Sequence, residues 1–130
     1  MKRLQKFATD HSNVKIHGFV SDIPQLLRRM SVAISFSPRE GFPNNLLQAM
    51  ATGIPVIALE NGATRELVPS EQIGYLFQTL DDALLKLKRL LENRRLARQI
   101  GEYASRHVGS HYSIQAMVDP TFKLYKEMVS

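Results

Sequence analysis

The chain has no cysteine in its 130 residues. Disulfides, thiolate nucleophiles and zinc sites built on Cys are therefore excluded, and a reducing, cytoplasmic setting fits. No apolar run approaches the roughly 20 residues that a membrane helix requires. The opening Met-Lys-Arg-Leu-Gln-Lys lacks the apolar core of a secretion signal. Glycine and proline are sparse, at 7 and 6 residues, and no low-complexity or repeated stretch interrupts the chain. Disorder and linker-joined domains are thus disfavoured. Charge of one sign is also modest. A net +5 suits an anionic substrate, an anionic membrane or nucleic acid equally.

What is present is a hydrophobic fraction of 44%, enough for one ordinary core. Four short β-branched, apolar runs predict buried strands at Val14–His17, Val32–Ser37, Pro55–Leu59 and Tyr75–Phe77. Between them lie helical patterns. Asp22 caps a helix through about Arg29, with Ile23, Leu26, Leu27 and Met30 facing inward. A second helix runs from about Asn44 to Thr52 and stops at Gly53. A short turn of helix covers Thr64–Val68. Alternating strand and helix predicts an α/β fold with a parallel, Rossmann-like doubly wound sheet. The chain after Phe77 reads as helical. Thr79 and Asp82 resemble a capping box, and Leu80, Leu84, Leu87 and Leu91 form one stripe. Leu96, Ile100, Ala104 and Val108 form a second, and a last helix is predicted over Ile114–Met128. Residues 1–13 read as a short helix, Arg3–Thr9, rather than the strand with which such a sheet normally opens.

The stretch Glu40-Gly-Phe-Pro-Asn-Asn-Leu-Leu-Gln48, directly behind the run Val32–Ser37, concentrates the chemistry. A buried strand ends, the chain turns through Gly41 and Pro43, and a helix begins with Asn44 or Asn45 as its cap. A helix start presents unpaired N–H groups and partial positive charge, which favours phosphate. In an open α/β sheet such a corner lies at the carboxyl ends of the strands, where ligands bind. Glu40 stands at its rim, and Gln48 lies one turn into the helix on the side of Asn44 and Asn45. An acceptor, bare amides and a second polar group suit a ligand with hydroxyls at both ends and phosphate between.

From Glu40 to Ala58 the sequence closely resembles the donor-binding signature of retaining glycosyltransferases of family 4, which have the two-domain GT-B fold. His17-Gly-Phe-Val-Ser-Asp22, Asn61-Gly-Ala-Thr-Arg-Glu66 and Gly74-Tyr-Leu-Phe77 resemble flanking segments of the same family. The resemblance implies that residues 1–130 are a partial donor domain, with its amino-terminal part and a whole acceptor domain lying upstream. It implies transfer of a sugar from a nucleotide-diphosphate donor to a glycan, lipid or small-molecule acceptor, as in polysaccharide biosynthesis. Retention at the anomeric carbon is implied too, with neither metal nor cofactor. The fragment alone is expected to be inactive. Glu40 would accept hydrogen bonds from sugar hydroxyls and face the reacting carbon. The amides of Gly41 and Phe42 would point at the sugar, and those of Asn45 and Leu46 at the distal phosphate. Gly18 and Phe19 would border the nucleobase. Gln48 departs from the family, whose glutamate there holds the ribose diol. A glutamine accepts one bond and donates one, without charge assistance.

Other candidates are set aside on their own chemistry. The four histidines are read as scattered, with His17 in a strand; Asp81-Asp82 opens a helix; Glu66 is read as supporting the corner from behind. Lys86, Lys88, Arg89, Arg94, Arg95 and Arg98 form a basic face. It is read as solvated, with attraction to anionic lipid headgroups at the inner face of a membrane, or to an anionic acceptor, as the lesser reading. Without interleaved aromatics it does not fit nucleic acid. Two further readings stay open: a nucleotide-sugar epimerase of the same fold, and a non-catalytic binding domain, which Gln48 invites. Apolar residues on several sides of 112–130 predict that the isolated chain self-associates through that segment or leaves it mobile.

Overall fold

A computed structural model describes residues 2–38 and 43–112. The expected last helix, and with it self-association through the carboxy-terminal segment, falls outside the described residues. Nine elements follow in chain order: α1 (Lys2–Asp10), α2 (Ile23–Leu27), β1 (Ala33–Ser35), α3 (Asn44–Ala51), β2 (Val56–Leu59), α4 (Gly62–Leu67), β3 (Tyr75–Phe77), α5 (Leu80–Glu92) and α6 (Arg94–His111).

The three strands form one parallel sheet in the order β1-β2-β3. Ala33 pairs with Val56, and Ile57 with Tyr75. The central strand, Val-Ile-Ala-Leu, has no polar residue because it is covered on both faces. Val56 and Ala58 point into a core built with α2, α3, α4 and the second half of α6 (Leu27, Leu46, Met50, Leu67, Ala104, Val108). Ile57 points into a core on the opposite face with Tyr75, Phe77, Ala83, Leu90 and Ile100. Val56, Ile57 and Met50 are fully buried, each contributing about 1.5–3 kcal/mol by leaving water. The helices therefore cover both faces, as a doubly wound sheet requires.

α6 joins the two layers. Its first half packs with the Ile57 core and its second half with the Val56 core. It lies against α3 so closely that a Cβ on Gly101 would stand 2.0 Å from the carbonyl oxygen of Gly53. Gly53 itself has φ of +86°. It ends α3 in the left-handed conformation that glycine adopts without strain.

Several expectations are corrected. Val14–His17 is not a strand. The Val14 N–H is spent on the carbonyl of His11 in a turn, residues 15–17 are exposed, and β1 pairs only with β2. A strand without a ladder partner has no reason to extend. His17 is accordingly an exposed loop residue. α2 ends at Leu27, so Met30 is exposed rather than inward. The pairing of β1 is limited to Ala33–Ser35. Helix α4 starts two residues earlier than expected, because Asn61 and Thr64 exchange side-chain and backbone bonds at its start. Thr79 does cap α5, accepting from the Asp82 N–H at 3.2 Å, but the Asp82 carboxylate turns to Lys86.

The largest correction concerns α5. Its buried residues are Ala83 and Leu90, while Leu80, Leu84 and Leu91 of the leucine stripe are more than half exposed. At 100° per residue these three leucines lie about 60–100° around the helix from Ala83, and the half-buried Leu87 about 40°. Lys86 bonds to the sheet in that roll. Its Nζ donates to the carbonyl of Leu76 on β3 at 2.5 Å and to Asp82 at 2.8 Å. The α6 stripe is buried as expected, with Ile100, Ala104 and Val108 inside and Leu96 half-buried.

Candidate functional site

The corner after β1 is assembled from a strand that stops and a helix that starts. Glu40, Gly41 and Phe42, expected to face the sugar, lie outside the described residues. The next residue, Pro43, is fully buried and stands at the cap position of α3. The expected cap, Asn44 or Asn45, is thereby corrected. Proline's fixed φ suits the entry to the first turn, and its side chain offers no oxygen. No side chain caps this end. The helix begins its own bonding with the Leu47 N–H donating to the Pro43 carbonyl at 3.1 Å. The amides of the first turn, Asn44 to Leu46, precede that bond and carry the positive end of the helix.

Asn44, Asn45 and Gln48 are exposed, whereas Leu46 is anchored at 2% exposure. The anchoring of Leu46 and Met50 in the Val56 core fixes the direction of α3. Asn44 and Gln48, four apart, share one face of it. The structure thus brings three expected donor-binding residues to the same exposed end. Among the described residues no acidic group caps α3 there, and the helix dipole at this end favours an anion.

Gly18 and Phe19 lie on the loop before α2. Phe19 is 98% exposed, and nothing approaches Gly18. Beside them is an open cleft of about 290 Å3 lined by His17, Val20, Ser21, Asp22, Gln25 and Arg29. Asp22 is already engaged, accepting from the Gln25 N–H at 3.0 Å as the cap of α2. The neighbours of Gly18 and Phe19, rather than those two residues, line the cleft. α2, whose first residues line this cleft, packs on α3.

The floor of the corner is tied together by Asn61. Its side-chain oxygen accepts from the Thr64 N–H at 2.9 Å, and its side-chain nitrogen donates to the carbonyls of Ser37 and Leu59, both at 3.4 Å. Thr64, only 2% exposed, donates to Leu59 at 2.8 Å and accepts from the Asn61 N–H at 2.8 Å. One loop therefore links the ends of β1 and β2. Glu66 is exposed, and its charge reaches Tyr112. The Tyr112 hydroxyl is pushed above its usual value, first by burial and then by Glu66.

One group at the strand ends was not foreseen. Glu60, directly after β2, accepts from Gln78, directly after β3, at 2.6 Å, and pairs with Arg65 at 3.4 Å. Two polar residues each following an apolar strand at equivalent positions in a parallel sheet would have been the signal. The basic face is partly spent internally. Lys86 pairs with Asp82, Lys88 with Glu92 at 3.9 Å, and Arg89 lies 5.9 Å from the Tyr75 ring centroid. His107 and His111 stand one turn apart on α6 with ring centroids 4.4 Å apart, so these two are not scattered. Among the described residues no group of three His, Asp or Glu is placed to hold a metal ion. No described helix is long and apolar enough to cross a membrane.

Known proteins resemble this arrangement. The family model for glycosyl transferases group 1 matches residues 1–107. The capsular polysaccharide biosynthesis glycosyltransferase CapM of Staphylococcus aureus is 26% identical over 121 residues, covering 92% of this chain and 32% of that protein. The carboxy-terminal domain of a glycosyl transferase group 1 family protein, LpcC from Francisella tularensis, superposes with a TM-score of 0.74 at 29% identity. That match covers 88% of this chain and 63% of the other. Anabaena Alr3699/HepE, solved in complex with UDP-glucose, gives a TM-score of 0.88 over 97% of this chain and 36% of that one. Its identity is 23%, so this likeness speaks for the fold. The chain spans about a quarter to a third of the curated relatives it matches.

Proposed function

The chain belongs to the glycosyl transferases of group 1, and on that premise we propose that it forms the donor-binding wall of a retaining, metal-independent sugar transferase of family 4. The observation that carries this reading is the start of α3. It is an exposed helix terminus without a side-chain cap, at the carboxyl end of a parallel strand. The diphosphate of a nucleotide-sugar would be met there by the amides of Asn45 and Leu46 and by the helix dipole, which stabilise the leaving diphosphate without a cation. Glu40 and the amides of Gly41 and Phe42 would hold the sugar. Gln48 would bind the ribose. The cleft beside Gly18 and Phe19 would take the base. HepE was solved with UDP-glucose, which makes UDP the first nucleotide to try.

CapM is named for capsular polysaccharide biosynthesis, and a growing glycan or its lipid carrier is the acceptor class proposed here. The acceptor domain and the basic residues that complete the site would come from sequence upstream of this chain. The proposed place of action is the cytoplasm, at the inner face of a membrane when the acceptor is lipid-linked.

Backbone NMR of the chain titrated with UDP and GDP tests the site. Shifts should cluster at Asn44–Gln48, the loop 17–22 and Asn61. Shifts confined to α5 and α6 would refute the assignment. In the full-length enzyme Glu40→Ala should lower turnover far more than nucleotide affinity. Gln48→Glu should alter nucleotide affinity by about 1 kcal/mol, and unchanged affinity would remove Gln48 from the ribose site.

A further inference from the structure

The sheet has a second end. Glu71 and Gln72 precede β3, and Tyr75 opens it, so they lie at the amino ends of the parallel strands, opposite the corner that follows β1. There the elbow between α5 and α6 closes over the start of β3 and leaves an open cleft of about 230 Å3. Its floor is mostly apolar and buried. Tyr75 and Ile100 are each 3% exposed, and Leu96 sits half-buried beside them. Its rim is polar. Glu71, Gln72, Arg89 and Gln99 surround the floor, and the exposed ring of Tyr103 forms one wall.

Among the described residues almost none of this polar chemistry is used. Among the described residues the side chains of Glu71, Gln72 and Gln99 take part in no hydrogen bond or ion pair. Arg89 makes only its contact with the Tyr75 ring. Two amides and one guanidinium supply donors. The same amides and one carboxylate supply acceptors. They converge on a concave apolar floor with an aromatic wall, the combination by which small ligands are oriented. The cleft is below the about 300–1,000 Å3 of drug-sized pockets, so it fits one ring rather than several. Glu71 on the rim disfavours a phosphate, and it opposes Arg89 across the lining; Arg106 lies 5.9 Å from the Tyr103 ring centroid, where it is occupied with the ring rather than lining the cleft. A neutral ring with hydroxyls around its edge and C–H groups on its faces satisfies both halves of the lining. The hydroxyls would meet Gln72, Gln99 and Glu71, and the C–H face would rest on Tyr103.

We propose that the cleft between the start of β3 and the α5–α6 elbow is a carbohydrate-binding site, distinct from the donor corner and taking a single neutral pyranose unit. Its place at the far end of the sheet means that a glycan held there does not compete with a nucleotide at α3. It would serve to retain a glycan chain on the protein rather than to react with it.

The test uses the labelled chain and a panel of probes at millimolar excess: glucose, galactose, mannose, N-acetylglucosamine and maltotriose, with inorganic phosphate as the charged probe. At least one neutral sugar should shift the resonances of Gln72, Gln99 and Tyr103 saturably. The shifts should persist in the presence of UDP. Tyr103→Ala and Gln99→Ala alter exposed side chains, and each should weaken the fitted Kd about tenfold while the remaining spectrum is preserved. Absence of any saturable shift with all five sugars, a response to phosphate alone, or affinity unchanged in both variants would overturn the proposal. Failure here leaves the UDP titration unaffected, so the two sites are judged separately.

Discussion

Helices α5 and α6 carry similar stripes and meet opposite fates. Leu80, Leu84 and Leu91 of α5 face solvent, while Ile100, Ala104 and Val108 of α6 are inside. Apolar period identifies the face of a helix that gains from cover. Which residues receive it depends on where the helix is pinned. α6 is pinned by a backbone contact, Gly101 against Gly53, between two cores. α5 is pinned by Lys86 at the outer edge of β3. Its small residue Ala83 is thereby turned inward and its leucines to the flank. The same sheet face also leaves Ile34 and Phe36 exposed, with Phe36 meeting Phe77 edge-on at 5.3 Å.

The comparison breaks most sharply at Gly101. A Cβ there meets a backbone oxygen that cannot step aside as a side chain would, so Gly101→Val should cost at least about 3 kcal/mol, the upper range for overpacking. Urea unfolding would show it as a lowered midpoint with unchanged slope. A midpoint close to wild type would mean that the α3–α6 contact is loose. A matched pair comes next. Ile100→Ala should cost about 3 kcal/mol and Leu84→Ala within about 0.5 kcal/mol, although both lie on apolar stripes. Equal losses would erase the distinction between the helices. Smaller again is Lys86→Met. Losing the bond to the Leu76 carbonyl should cost about 1 kcal/mol and release the roll of α5, visible as moved methyl resonances of Leu84 and Leu87. Static methyls would assign the roll to packing instead.

The smallest effect is at the end of α6. Burial, and then the neighbouring charge of His111, holds His107 below its ordinary value of 6.5. Its Nε2 is buried with no partner among the described residues. Between the lowered value and 6.5 the unfolded chain binds more protons than the folded one, so stability rises with pH there. The contribution is complete above about 6.5 and is lost as pH falls through 6.5 and below. His107→Gln should flatten that part of the stability profile. An unchanged slope between about pH 7 and 5, where imidazoles titrate, would assign it to another group.

The central architecture was legible because its signals are local. Val56–Leu59 is an unbroken apolar run, Gly53 marks the end of α3, and Asp22 caps α2. What was not legible depends on partners far along the chain. Val14–His17 has strand composition, but composition does not provide a ladder. The inward face of α5 depends on a lysine reaching a carbonyl ten residues earlier. In the site, the exposed start of α3 was readable from its turn residues. That Pro43 rather than an asparagine holds the cap position was not, because both residue types suit a helix entry. The link between Glu60 and Gln78 spans eighteen residues, and its signal, a polar residue after each of two strands, has meaning only once those strands are known to pair.

The Asn61 side chain has a consequence for motion. The β1 ladder ends at Ser35, and no strand pairing reaches Ser37. Asn61 therefore couples Ser37 to the end of β2 through one amide group, and that same group holds the start of α4. Ser37, the end of β2 and the first turn of α4 are the described residues that this amide joins. Their fast motions should rise and fall together. Nucleotide arriving at one of them would quiet the others without displacing them, a response carried by amplitude alone.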